Sequence, residues 1–156
     1  MVHGEASTEI ARPVETVFAF VVRDFFENYP RWSPEVRSVE PLDANGNPVA
    51  SSPPPIRVGS RARQIRVDHG RRSDTIVQTV ALEPNRHVAF TSHGSPAFTS
   101  AFDFIPRGDA TALQFHFALT ELKLYMRPFE SLIRRAIQDG TERTVTNIRA
   151  LIEAER

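Results

Sequence analysis

The chain has 156 residues, of which 40% are apolar and 24% are charged, and its formal net charge is +0. These totals predict a single globular domain over residues 1–156, with no general attraction to nucleic acid or anionic membranes. Cysteine is absent, and no apolar run approaches the ~18 residues of a membrane span, which argues against disulfides, thiolate chemistry and stable membrane insertion. The N-terminus shows no signal-peptide pattern, so we expect a cytoplasmic protein.

The first forty residues predict a strand, two short helices and a second strand. Residues 5–11 form the first strand candidate, and Pro13 is typical of the opening turn of a helix. Asp24 is expected to cap the second helix, because Glu27 follows three residues later in capping-box register. Pro30 is expected to end that helix, since the residue before a proline avoids helical geometry. The second strand follows at 35–42.

Residues 43–58 (DANGNPVASSPPPIRV) predict a long loop, because they combine four prolines with Asn-Gly and serine. From residue 59 the pattern predicts a meander of five strands at 60–68, 73–82, 88–92, 98–105 and 112–121. Its turns are expected at 69–70, 83–86, 93–96 and 106–109.

Alternation along these strands predicts one buried, phenylalanine-rich face. The predicted inward rows are Ile76, Gln78, Val80 and Leu82; Val88, Phe90 and Ser92; Phe98, Ser100, Phe102 and Phe104; and Leu113, Phe115, Phe117 and Leu119. His116 alternates to the outer face, whereas the strand at 60–68 mixes polar and apolar residues on both faces.

The last thirty residues predict a long amphipathic helix that begins near Pro128 and ends near Ala154. Its predicted apolar stripe contains Phe129, Leu132/Ile133, Ala136/Ile137, Gly140, Thr144, Ile148 and Leu151/Ile152. An antiparallel sheet with one apolar face against one such helix is an α+β fold. Gly140 within the stripe has two explanations: it leaves room for a ligand, or it ends one helix while Thr141 caps another.

Several segments carry a likeness to a known family: residues 11–18 (ARPVETVF), 29–36 (YPRWSPEV), 58–60 (VGS), 80–84 (VALEP) and the closing LIEAE. With this element order, the chain resembles the birch-allergen-like helix-grip fold of the START/SRPBCC superfamily. It is most similar to the bacterial polyketide cyclase/dehydrase and lipid-transport group. The resemblance implies a curved seven-stranded antiparallel sheet wrapped around the C-terminal helix, with two short helices between strands 1 and 2. It also implies a cavity for an apolar molecule between sheet and helix.

The predicted ligand-binding set combines the inward rows with the helical stripe. It comprises Gln78, Phe90, Ser92, Phe98, Ser100, Phe102, Phe104, Phe115, Phe117, Ile133, Ala136, Gly140 and Thr144. Core packing is the alternative interpretation for each phenylalanine taken singly. Residues 43–58 are expected to be poorly ordered without ligand and to gate the cavity, with a surface insertion of no function as the alternative.

Other chemistry finds little support in the sequence. The five histidines lack metal-ligand spacing, no GxSxG motif is present, and the arginines at 57–72 lack interleaved aromatics, so we expect no metal, no cofactor and no nucleic-acid partner. Acid–base catalysis would draw on polar residues without an inward carboxylate. The candidates are Gln78, Ser92, Ser100, Tyr125, Arg143 and Asn147.

Three functions follow from these patterns. The leading hypothesis is binding or carriage of an apolar small molecule, such as a lipid, polyketide or aromatic compound, by a monomer or homodimer. The second is a polyketide cyclase or aromatase that uses the same cavity for acid–base catalysis, with its catalytic residues unassigned. The third is a protein-interaction module whose cavity is filled.

Overall fold

A computed structural model describes residues 1–49, 54–94 and 97–155. Strand β1 (Val2–Ile10) leads into helix α1 (Val14–Phe18), a π-helical segment (Ala19–Arg23) and helix α2 (Phe25–Trp32). The remaining strands are β2 (Val36–Leu42), β3 (Arg61–Asp68), β4 (Arg71–Glu83), β5 (His87–Ser92), β6 (Phe98–Arg107) and β7 (Ala110–Leu119). A 3₁₀ segment (Leu124–Phe129) then runs into helix α3 (Glu130–Ala154).

All seven strands form one antiparallel sheet in the order β1-β7-β6-β5-β4-β3-β2. Helix α3 packs mainly on β1 and also on β7, while α2 packs on β2 and contacts α3. The predicted α+β helix-grip architecture is confirmed. None of the described helices is both long and apolar enough to cross a bilayer.

Edge strand β1 is held against α3 along its length. A Cβ built on Gly4 would lie 2.8 Å from Ile137 Cγ2, so strand and helix approach each other as closely as a glycine allows. The Gln138 amide accepts from the Glu5 N–H at 3.1 Å and donates to the Glu5 carbonyl at 2.7 Å. At the other end of β1, the Glu153 carboxylate accepts from the Ala11 N–H at 2.9 Å. These bonds satisfy backbone groups of an otherwise unpaired edge.

The inward row of β4 differs from the prediction. Thr75, Val77 and Thr79 are buried there, while Ile76 and Val80 are 48% and 47% exposed. A β-bulge shifts the register against β5 between Thr79 and Ala81, so the alternation changes phase at that point. Leu82 is partly buried against the core, as predicted, but the inward row N-terminal to the bulge carries odd numbers. Gln78, opposite Thr91 and Arg61, therefore lies on the outer face.

Helix α2 corrects two further predictions. Pro30 lies inside the helix, which continues to Trp32, because Trp32 is buried in the core and the Ser33 N–H donates to the Tyr29 carbonyl at 3.0 Å. The Asp24 side chain makes no capping hydrogen bond, and its carboxylate pairs with Arg23 at 3.3 Å.

Aromatic side chains fill the interior between α2, the sheet and the second half of α3. Phe25 stacks on Phe90 with ring centroids 5.3 Å apart, and Trp32 meets Phe102 edge-on at 6.2 Å. Phe102 stacks on Phe115 at 4.5 Å. These rings, with Phe104, Leu113, Val145, Ile148 and Ile152, form a buried cluster that we call the closed half of the interior.

The predicted loop at 43–58 lies partly outside the described residues, which exclude 50–53, and its gating role stays a prediction. Its first part is an Asx turn in which the Asp43 carboxylate accepts from the N–H groups of Asn45 and Asn47 at 2.9 and 3.0 Å. Its last part is anchored, because Ile56 belongs to the hydrophobic core at 8% exposure. The turn predicted at 93–96 is likewise described only through Gly94.

Candidate ligand-binding site

The interior opens towards the end of the sheet where β5 and β7 finish and α3 begins. Here inward-facing side chains of the sheet and of α3 are only half-buried, although they face each other across the core. We call this region the open half of the interior: half-buried Ser100, Phe117 and Leu119 from the sheet, Ile133, Ile137, Gly140 and Thr144 from α3, and the buried Phe98 behind Phe117. The fully buried stripe of α3 lies one turn further on, at Thr141, Val145, Ile148 and Ile152.

Aromatic rings form the sheet wall of the open half. Phe98 and Phe117 stack with centroids 5.3 Å apart and an interplanar angle of 24°. Phe98 is buried at 7% exposure, whereas Phe117 keeps part of its surface accessible. A partly exposed ring backed by a second ring offers a flat apolar platform, which favours binding of an aromatic or aliphatic group.

Gly140 forms part of the helical wall. Helix α3 runs without interruption from Glu130 to Ala154, so the interpretation of Gly140 as a helix terminator is wrong. A Cβ built on this residue would meet only Arg143 Nη2, at 3.8 Å. The missing side chain therefore leaves space beside the helix, and use of that space by a ligand stays a prediction.

A strip of buried polar side chains crosses β3, β4 and β5 on the inner face. Gln64, Thr75, Thr79 and Ser92 are each at most 5% exposed. The Tyr29 hydroxyl on α2 donates to Gln64 Oε1 at 2.7 Å, and burial raises the pKa of Tyr29 above its ordinary value. Tyr29 therefore stays protonated well into the alkaline range. An interior with aromatic rings on one side and hydroxyl and amide groups on the other suits an amphipathic molecule.

Sequence reasoning missed most of this strip. Gln64 alternates with Ala62 and Arg66, and only the alanine is apolar, so the inward face of β3 carries no hydrophobic signal. The bulge in β4 changes the phase of alternation, so the row that ends at Leu82 predicted even-numbered residues inward and missed Thr75 and Thr79. The one available signal was the small side chain of Ala62, which is typical of a position close to another layer.

The predicted site residues fall into three groups. Phe90, Ser92, Phe98, Ser100, Phe102, Phe104, Phe115 and Phe117 face inward as predicted, and Phe90, Phe102, Phe104 and Phe115 are packed in the core. Ile133, Gly140 and Thr144 lie on the half-buried face of α3. Gln78 lies on the outer face and Ala136 is exposed, because the buried stripe of α3 runs through Ile137 and Thr141 instead.

The remaining acid–base candidates have structural partners or lie outside. Tyr125 is 69% exposed, and the Asn147 amide donates to the Trp32 carbonyl at 3.0 Å. Arg143 pairs with Glu35 at 3.8 Å. Glu35 and Asp68 are the carboxylates that act on Tyr29, and Asp68 pairs with Arg66 at 3.2 Å. These carboxylates are therefore engaged by arginines at the rim of the interior.

The outer face of the sheet carries a row of contacts between histidine and carboxylate side chains. His116 lies there as predicted, 3.2 Å from Glu5 and 3.7 Å from Asp103, and His87 contacts Asp103 at 2.8 Å. Beside it an open groove of ≈ 640 Å³ is lined mainly by small and polar outer side chains such as Ala89, Ala101 and Thr99. Within the described ranges, no cluster of three His, Asp or Glu side chains has metal-binding geometry.

Comparison with known proteins gives one family and many solved structures. Residues 1–153 match the model of the family described as polyketide cyclase/dehydrase and lipid transport. A search of curated proteins found no match.

Among solved structures, protein TTHA0849 from Thermus thermophilus has a TM-score of 0.75 and 16% identity, with 97% of each chain covered. A START superfamily protein from Mycobacterium smegmatis gives 0.70 and 18%, with 99% of each chain covered. The di-domain ARO/CYC protein BexL from the BE-7585A biosynthetic pathway gives 0.71 and 16% over 98% of this chain and 47% of that one. At these identities the likeness establishes the fold alone.

Proposed function

We propose that this chain, which belongs to the polyketide cyclase/dehydrase and lipid transport family, binds an amphipathic, mainly apolar small molecule in the open half of its interior. The observation that carries the proposal is the contrast between the two halves. Aromatic rings fill the closed half, whereas half-buried apolar groups of sheet and helix face each other in the open half. Family membership also confirms the resemblance predicted from the sequence.

Hydrophobic burial supplies the driving force for such binding. Each square ångström of apolar surface removed from water contributes about 25 cal/mol, so partly exposed Phe117, Leu119 and Ile133 favour a ligand that covers them. The polar strip through Gln64 and Thr79 would orient the ligand by hydrogen bonds. The ligand class is therefore a lipid, polyketide or aromatic compound with at least one oxygen function. Action in the reducing cytoplasm fits the absence of cysteine.

Cyclase-type catalysis is the second candidate. Its support is the family description and the Tyr29–Gln64 pair, which places a protonated phenol on the inner face. Against it, the nearby carboxylates Glu35 and Asp68 are paired with Arg143 and Arg66, so neither is an unpartnered base facing the interior. Binding without turnover is therefore the function that the geometry supports best.

A dye titration with matched leucine variants tests the proposal. A polarity-sensitive naphthalenesulfonate dye should bind the folded protein and be displaced by fatty acids or polycyclic aromatics. Gly140→Leu should abolish this binding, because its side chain would enter the space beside the helix. The control Asp139→Leu adds the same group at the neighbouring exposed position and should bind dye as the wild type does. Absence of dye binding, or equal binding by both variants, would contradict the proposal.

A further inference from the structure

The start of α3 exposes an unusual concentration of apolar surface. Leu124, Tyr125, Phe129 and Leu132 are 76%, 69%, 56% and 67% exposed, and all four lie within residues 124–132. Elsewhere in the described chain, large exposed apolar side chains are scattered singly or in a pair. We call these four residues the entrance patch. Exposed apolar side chains gathered in one short segment are typical of an interaction surface rather than of ordinary surface composition.

Helical spacing shows where the entrance patch points. Phe129, Leu132 and Ala136 follow one another at three- and four-residue intervals, so they share one face of the helix. The same face continues through Gly140 to Arg143 and Asn147, which reach Glu35 and the Trp32 carbonyl. It therefore points across the interior towards β2 and α2. In the first turns of α3 this face is uncovered, beside the open half.

The charge around the patch is strongly one-sided for a chain of zero net charge. Residues 123–135 contain the cations Lys123, Arg127, Arg134 and Arg135 and one carboxylate, Glu130, which lies 3.9 Å from Arg134. Arg71 and Arg72, both exposed, lie at the tip of the β3–β4 hairpin at the same end of the sheet. Arg71 and Arg72 are flanked in sequence by Asp68 and by Asp74, which pairs with Arg63, and Glu121 precedes Lys123.

We propose that the entrance patch docks reversibly onto an anionic lipid bilayer. Exposed aromatic and leucine side chains can enter the boundary between headgroups and acyl chains, and flanking cations are attracted to anionic headgroups. A protein partner would need a complementary acidic and apolar surface, whereas a bilayer provides both components without specific shape. Docking in this orientation presents the open half of the interior to the membrane surface. That last consequence, uptake of ligand from the bilayer, rests on the proposed function, but the docking itself does not.

Vesicle co-sedimentation tests the docking without any added ligand. The protein should bind phosphatidylcholine vesicles that contain phosphatidylglycerol, bind pure phosphatidylcholine vesicles weakly, and dissociate as salt is added. Phe129→Ser combined with Leu132→Ser should weaken binding about ten-fold or more, because it removes two of the membrane-entering groups. Lys123→Gln combined with Arg127→Gln should weaken binding to the anionic vesicles only. The control Ile76→Ser with Val80→Ser removes exposed apolar groups from the outer sheet face and should bind as the wild type does.

Three outcomes overturn the inference: no binding to anionic vesicles, equal loss in the control pair, or conversion of a dimer to a monomer by the patch variant without vesicle binding. The last would assign the patch to self-association, and sedimentation velocity detects it. Circular dichroism of each variant verifies the fold. Vesicle binding by a protein that takes up no dye would contradict the proposed function while leaving the docking intact.

Discussion

The contact between Gly4 and α3 gives the sharpest quantitative prediction. In Gly4→Ala the added Cβ would lie 2.8 Å from Ile137 Cγ2, 3.1 Å from Thr141 Cγ2 and 3.2 Å from the Ile137 carbonyl oxygen. Ile137 is β-branched and has one strongly preferred helical rotamer, and a backbone oxygen cannot rotate away. The strand and the helix must therefore separate, against the Gln138–Glu5 hydrogen bonds that hold them together.

The size of the effect follows from two opposing terms. Overpacking of a close contact lowers the free energy of unfolding by about 1–3 kcal/mol. Replacing glycine also restricts the unfolded chain, which raises the free energy of unfolding by about 0.4–1 kcal/mol. We expect a net destabilisation of about 1–2 kcal/mol, which is a fall in melting temperature of roughly 2–8 °C for a domain of this size. Urea denaturation monitored by Trp32 fluorescence measures it.

Gly140→Ala is the matched control, because its Cβ meets nothing closer than Arg143 Nη2 at 3.8 Å. Alanine should stabilise the helix there by about 0.5–1 kcal/mol. Ile137→Ala removes the atom nearest to the new methyl group, so in a double-mutant cycle it should cost less in the Gly4→Ala background than alone. Equal stability of Gly4→Ala and wild type, or additive effects in the cycle, would refute the reasoning.

Two further predictions concern hydrogen-bonded titratable groups. Tyr29→Phe removes the donor to buried Gln64 and should destabilise the protein by about 1–3 kcal/mol. The pKa of Tyr29 is raised in the folded state, so its contribution to folding stability is present below about pH 10 and is lost as pH rises through the folded pKa. The Tyr29→Phe variant should therefore lack this alkaline decline in urea midpoint. The hydrogen bond from the Ala11 N–H lowers the pKa of Glu153 in the folded state. The contribution of Glu153 to folding stability is therefore present above its ordinary pKa and is lost as pH falls through the lowered value. Glu153→Gln should remove this acid-side loss, and parallel acid profiles for variant and wild type would contradict the assignment.

The sequence was sufficient for the sheet-forming phenylalanines and for the long helix. The apolar alternation is uninterrupted on β7 and is broken on β6 only by Ser100, so parity alone placed Phe102 and Phe115 on the inner face. Helix α3 was predictable because its stripe persists over seven turns. The stripe was assigned too broadly, however: Phe129 and Leu132 fit the spacing but are exposed in the first turns of the helix, and Ala136 lies beside the buried stripe, which runs through Ile137 and Thr141. Periodicity identifies a helical face without showing how far along it the partner reaches.

The candidate site was harder to predict than the fold, for a physical reason. Core residues are selected for apolarity, which leaves a visible pattern, whereas groups that orient a ligand are polar and interrupt it. Gln64 is 1% exposed and hydrogen-bonded to Tyr29, yet in the sequence it stands between arginines. The long-range bond between α2 and β3 that makes its burial tolerable is invisible without tertiary structure. The entrance patch was hidden in a similar way, since a total charge of zero conceals local clustering.

The β-bulge in β4 has a consequence for how related sequences are compared. On either side of it the inward positions have opposite parity, with Val77 and Thr79 before it and Leu82 after it. A relative without the bulge has one residue fewer in this strand. If the alignment gap is placed away from the bulge, inward residues of this chain in the stretch between gap and bulge are matched with outward residues of the relative. Specificity determinants inferred from such an alignment would then include Gln78 and omit Thr79. Gaps in alignments of this strand should therefore be placed at residue 80, so that side chains on the inner face of the sheet are compared with one another.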